Sequence, residues 1–206
     1  MSTAEVTVYD KISADVEAPE AAKPSVLLLA TGLVSISIFM GFIALIGFYL
    51  AERADFLKAG GEEPWLPDTT IPLTQPNFMF LSVTLSAVTA LWAVYSVRND
   101  DTANALIATC VTLVFGISQI AQTFFLLSIM ELDVSSDERA VWLISIIGAQ
   151  IALMILACIY LALTGLRTVG GGYSSKDYEG MASAAFFWIL SALVYVLVWY
   201  AVYITK

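Results

Sequence analysis

The chain has 206 residues, 59% of them hydrophobic and only 13% charged, and its 18 acidic against 9 basic side chains give a formal net charge of −9. Soluble domains carry about 25% charged residues, so this composition points to the bilayer as solvent, and its acidity excludes a nucleic-acid binder, which needs a basic patch. No histidine is present, which removes the usual haem ligand, the commonest zinc and copper ligand and the best general base near neutral pH.

In chain order, residues 1–24 carry Glu5, Asp10, Asp15, Glu17 and Glu20. They lack the positive start and small-residue cleavage site of a secretory signal, and they read as an acidic, disordered N-terminal tail. Residues 25–206 read as one domain. A hydrocarbon core of about 30 Å needs roughly 20 apolar residues per helical span. Five stretches meet that length, at about 25–51, 77–97, 103–130, 140–166 and 181–204. The expected fold class is therefore an all-α membrane protein, a five-helix transmembrane bundle.

Pro24 is placed to open the first helix, which ends at "LAERADFLKAGG". The segment "EEPWLPDTTIPLTQP" has prolines at 64, 67, 72 and 76 and reads as an irregular surface loop. "RNDDTAN" is short enough to make helices 2 and 3 an antiparallel hairpin. Before helix 4 stands "SSDE", with Ser135 and Glu138 at capping-box spacing. The "GGG" run at 170–172 closes helix 4 and opens a short polar loop; it lacks the spacing of a phosphate-binding loop.

The spans contain essentially no ionisable residue, and Glu131 lies at the end of helix 3, within reach of water. A pump, ion channel or carrier of charged substrates places such groups inside its helices, so autonomous transport is disfavoured. Cys110 and Cys158 sit on different helices, and two isolated thiols cannot fill a tetrahedral metal site. No catalytic, cofactor-binding or metal-ligating residue is assigned.

The polar residues within the spans are patterned. In helix 2, Ser82, Ser86, Thr89, Ala93 and Ser96 recur at intervals of 4, 3, 4 and 3. In helix 3, Ala105, Thr109, Thr112, Gly116, Gln119 and Thr123 recur at 4, 3, 4, 3 and 4. Each set is one face of a helix, lined with small or hydroxyl side chains that let backbones approach, and is read as a packing face. Gln119 and Gln122 are the costly residues of helix 3. Gln150 on helix 4 is one candidate partner, and lipid head-groups or another subunit are equally open. Trp65, Trp92, Trp142, Trp188 and Trp199 each stand within linear reach of a membrane interface. The terminal "FFWILSALVYVLVWYAVYITK" accordingly reads as a wall facing lipid or a subunit.

Five spans, the exit "FYLAERADFLKAGGEEPW" and the terminus "FFWILSALVYVLVWYAVYI" together resemble subunit III of the haem–copper (cytochrome c) oxidases, in its short, five-helix bacterial form. Phe48-Tyr49 followed by Arg53 is similar to the family's exit from its first helix. Ser118-Gln119 resembles its "GQ", and Phe186, Phe187 and Trp188 resemble its terminal aromatics. The departures share one character. Ile38 and Gln122 stand where the family carries glutamates, Gln150 and Leu153 near its fourth-helix histidines, and Ile189 and Ala192 in place of a histidine and an aspartate.

The resemblance implies a non-catalytic accessory subunit of a respiratory haem–copper oxidase. It would hold no cofactor itself, with haem and copper in partner subunits, and would pack against the catalytic subunit, other respiratory-complex subunits and phospholipid. Gln122 and Gln150 would supply lipid or interhelical polar contacts. The alternatives are a subunit III-like component of another membrane oxidoreductase, such as nitric oxide reductase, or a small transporter or channel for an uncharged solute. The family implies a bacterial plasma membrane with the N-terminus cytoplasmic and the C-terminus external. Charge alone does not decide orientation, since five cations fall on one side and four on the other.

Overall fold

The computed structural model describes residues 25–60, 65, 72–130 and 138–205. The tail 1–24, the capping-box Ser135 and most of the proline-rich loop lie outside the described residues. Five helices follow one another: α1 Val26–Lys58, α2 Thr74–Arg98, α3 Thr102–Met130, α4 Glu138–Val169 and α5 Glu179–Val198. The last continues without interruption into a π-helical segment, Trp199–Ile204. All five are long and apolar enough to cross a membrane. The sole β-bridge among the described residues joins Ser174 to Asp177 in the α4–α5 loop.

The helix ends follow local chemistry. α1 runs to Lys58, seven residues beyond the expected 51, because "AERADFLK" is made of good helix formers even though its charges mark an exit from apolar surroundings. At 33 residues it is roughly 50 Å long, more than a hydrocarbon core requires. α2 ends in a Schellman turn: Asp100 takes φ 55°, and the Asp100 and Asp101 N–H groups donate to Val97 O and Ser96 O. Asp101 then serves as N-cap of α3, its carboxylate accepting the Asn104 N–H at 3.0 Å. The same turn closes α4, with Gly171 at φ 70° and the Gly172 N–H donating to Arg167 O at 2.9 Å.

Helices α2, α3, α4 and α5 form a closed four-helix ring in which each packs on the next, and α1 lies outside it against α5 and α4. α5 is the most buried of the five. It touches α1, α2 and α4, so the terminal helix is the centre of the protein and not an outer wall. The reason lies in its surface. Gly180, Ser183, Ala184, Ala185, Ser191 and Ala192 are all buried, and side chains this small admit neighbours on several sides.

α1 buries only Ser35, Phe42, Ile46 and Tyr49. It is held at both ends by polar contacts. The Leu28 N–H donates to Glu179 Oε1 at 3.0 Å, and Arg53 Nη1 donates to Thr205 Oγ1 at 3.1 Å. Between them Thr31 meets Tyr160 at 3.3 Å, and Phe48 stacks on Trp142.

Candidate functional site: the hydroxyl-lined centre of the bundle

The two 4-3-4 stripes turn toward the interior of the ring, where α2 and α3 meet each other, α4 and α5. On α2, Ser86, Ala93 and Ser96 are buried while Ser82 and Thr89 are half-buried. On α3, Ala105, Thr109, Thr112, Gly116, Gln119 and Thr123 are all buried, whereas Val114 and Ile117 on the opposite face are 65% and 62% exposed. One hydroxyl pair crosses the seam, Thr89 to Thr112 at 2.7 Å. The remaining hydroxyls turn back onto their own helices. Ser86, Thr109, Thr112 and Thr123 donate to the carbonyls of Val83, Ala105, Ala108 and Gln119 at 2.7–2.8 Å. Such back-bonding satisfies a hydroxyl locally and leaves it little to offer a solute.

Gly116 is where three helices meet. A Cβ built on it would lie 2.7 Å from Cys158 Sγ on α4 and closer still to the indole of Trp188 on α5. Trp188 is 1% exposed, and its indole N–H donates to Ser86 Oγ on α2 at 3.0 Å. The expectation that this tryptophan marks a membrane interface is therefore corrected: its ring fills the middle of the bundle, where Gly116 leaves room and Ser86 supplies an acceptor. Linear distance from the start of the span misjudged it, because α5 is sheathed by its neighbours there.

Gln119, Gln122 and Gln150 part company. Gln122 is half-buried and donates to Ser118 Oγ at 2.8 Å, one turn back on its own helix. It lines an open groove of about 310 Å³ on the outer side of the α2–α3 seam, together with Gln75, Ser82, Phe78, Leu85 and Phe115. Gln119 and Gln150 are 2% and 4% exposed, and neither amide oxygen nor amide nitrogen has a hydrogen-bond partner in either residue. Gln150, considered as a partner for the helix-3 amides, makes no such bond. The register explains why. Thr109 faces Gly165 and Gly116 faces Cys158, which sets Gln119 opposite Ile155 and Gln150 opposite Phe124, an offset of roughly 7.5 Å along the axis. Helical side chains also lean toward their own N-termini, so these two diverge.

Several buried polar groups escaped the sequence reading. Thr164 and Thr168 on α4 and Ser183 and Ser191 on α5 are buried and donate to carbonyls of their own helices. Ala157, Leu161, Thr164 and Thr168 repeat the 4-3-4 spacing on α4, a signal that the surrounding isoleucines and leucines mask.

The two ends of the bundle differ. Where α2, α4 and their loops meet, Arg98 lies 5.2 Å over the Tyr178 ring and Arg167 5.0 Å over that of Tyr173, within cation–π range. Burial pushes the Tyr173 hydroxyl up from its ordinary pKa, with Arg167 opposing. Asp100 accepts the Ser175 N–H at 2.6 Å, joining the two loops. That contact with Ser175 holds the Asp100 carboxyl below its ordinary value, and contact with Asn104 does the same for Asp101.

The opposite end gathers tryptophan. Trp65 packs on Tyr49 and Phe56, Trp142 on Phe48, and Trp199 on Phe80, with its N–H donating to Asn77 at 2.9 Å. Among the described residues no three side chains of histidine, cysteine, aspartate or glutamate come together as a metal site would require. Compared with known proteins, the chain matches no family model and no curated protein.

Proposed function

We propose that the chain is a five-span protein of a bacterial plasma membrane that serves as a non-catalytic, subunit III-like accessory subunit of a respiratory haem–copper oxidase. The observation that carries this reading is how the interior polarity is used. Within residues 26–51, 77–97, 103–130, 140–166 and 180–204 no aspartate, glutamate, lysine or arginine occurs, and the buried hydroxyls of Ser86, Thr109, Thr112 and Thr123 are tied to their own backbones, Thr112 also to Thr89. Such an interior supports helix packing and offers no relay for protons or electrons. The broad apolar exterior of α1 and α3 suits lipid and a larger partner. The resemblance in helix order, in Phe48-Tyr49 with Arg53 and in Phe186-Phe187-Trp188, supplies the family. Haem and copper then belong to partner subunits, and the chain contributes assembly and lifetime.

The tryptophan-rich end carries the termini of both α1 and α5, and the family orientation makes it external. Cysteines introduced at Ser2 and Thr69 test that in intact cells: an impermeant reagent should label Thr69→Cys and spare Ser2→Cys. Function is tested by purifying the membrane complex in mild detergent and by deleting the chain. Co-purification with haem- and copper-bearing subunits is expected. After deletion the complex should keep its haem and most of its initial rate while losing activity faster during turnover. A fully assembled, haem-replete complex without turnover would refute the accessory role.

A further inference from the structure

We draw no further inference here: the strongest candidate, the open groove that Gln75, Phe78, Ser82, Leu85, Phe115 and Gln122 line on the outer side of the α2–α3 seam, is a mainly apolar face, and nothing in the structure shows what covers it.

Discussion

Adding one methyl group at Gly116 isolates the tightest contact in the bundle. In Gly116→Ala the new carbon would meet Cys158 Sγ at 2.7 Å and the Trp188 ring on another side. Trp188 is confined, being 1% exposed and tied to Ser86, whereas Cys158 is half-buried. Overpacking of this kind costs about 1–3 kcal/mol. If the indole retreats, its hydrogen bond is lost as well, adding roughly 1 kcal/mol. Helix propensity acts the other way, because alanine in place of glycine gains about 1 kcal/mol. Because the new carbon lies closest to the indole, which must give way, both losses apply and the expected net destabilisation is about 1–3 kcal/mol, the propensity gain offsetting only the smaller of them.

The assay is unfolding of the purified chain by graded addition of a denaturing detergent to mild-detergent micelles. Val114→Leu is the control, since Val114 is 65% exposed on the same helix and surface changes stay within about 0.5 kcal/mol. Gly116→Ala combined with Cys158→Ala should recover part of the loss, because removing sulfur opens one side of the clash, and a coupling above about 0.5 kcal/mol is expected for touching residues. If Gly116→Ala proves as stable as the parent or more so, helix propensity governs this position and the three-helix contact is misassigned.

Three further outcomes follow from the same geometry. Gln119→Leu should stabilise the chain by about 1–3 kcal/mol, because it removes a buried amide without partners; a loss of stability in the same unfolding assay would mean that the amide is bonded. Glu179→Gln should loosen the first turn of α1, whose Leu28 N–H it caps at 3.0 Å, by roughly 0.5–1 kcal/mol, seen as faster amide exchange at Leu28 with the α5 amides unchanged. The Asp100–Ser175 latch should depend on pH. The folded carboxyl lies below its ordinary 3.8, so its contribution is fully present above that value and is lost as pH falls through the lower folded value. The Ser175 amide resonance should then titrate below about 3.8, and Asp100→Asn should abolish that titration.

Much of the architecture is legible because lipid and helix geometry leave the chain few choices. Runs of about twenty apolar residues admit one secondary structure, and turn chemistry at Asp100, Asp101 and Gly171 fixes where they stop. Helix ends are less legible where propensity and polarity disagree, as at 52–58, where charges say exit and helix formers continue. The 4-3-4 spacing on α2 and α3 stands out because hydroxyls interrupt apolar neighbours, whereas on α4 Ala157 and Leu161 carry no hydroxyl to mark it and α5 is apolar nearly all round. Hydrogen-bond partners are the least legible. Gln122 finds Ser118 at i−4 and Gln150 finds none, distinctions that turn on interhelical register. That register is set by contacts as small as Thr109 against Gly165.

The terminal helix shows why apolarity alone does not assign a face. In water, a helix hydrophobic on every side is buried; in lipid the same sequence can stand at the edge, since acyl chains are as apolar as leucine. Volume decides between the two. On α5 the buried positions interleave the small Gly180, Ser183, Ala184, Ala185, Ser191 and Ala192 with large side chains such as Met181, Trp188 and Tyr195, while Leu193 is 51% exposed and Tyr200 60%. Small residues make a helix approachable, and α5 is approached from three sides. Its large aromatics then serve as specific anchors: Trp188 reaches Ser86, Tyr195 donates to Pro76 O at 3.0 Å, and Trp199 reaches Asn77. All three partners lie on α2, and Trp188, Tyr195 and Trp199 share one face of α5, so the aromatic residues of α5 set its register against α2 from the centre of the bundle to its tryptophan-rich end. α5 thereby fixes α2 through neutral hydrogen bonds, while its one charged side chain, Glu179, holds the first turn of α1.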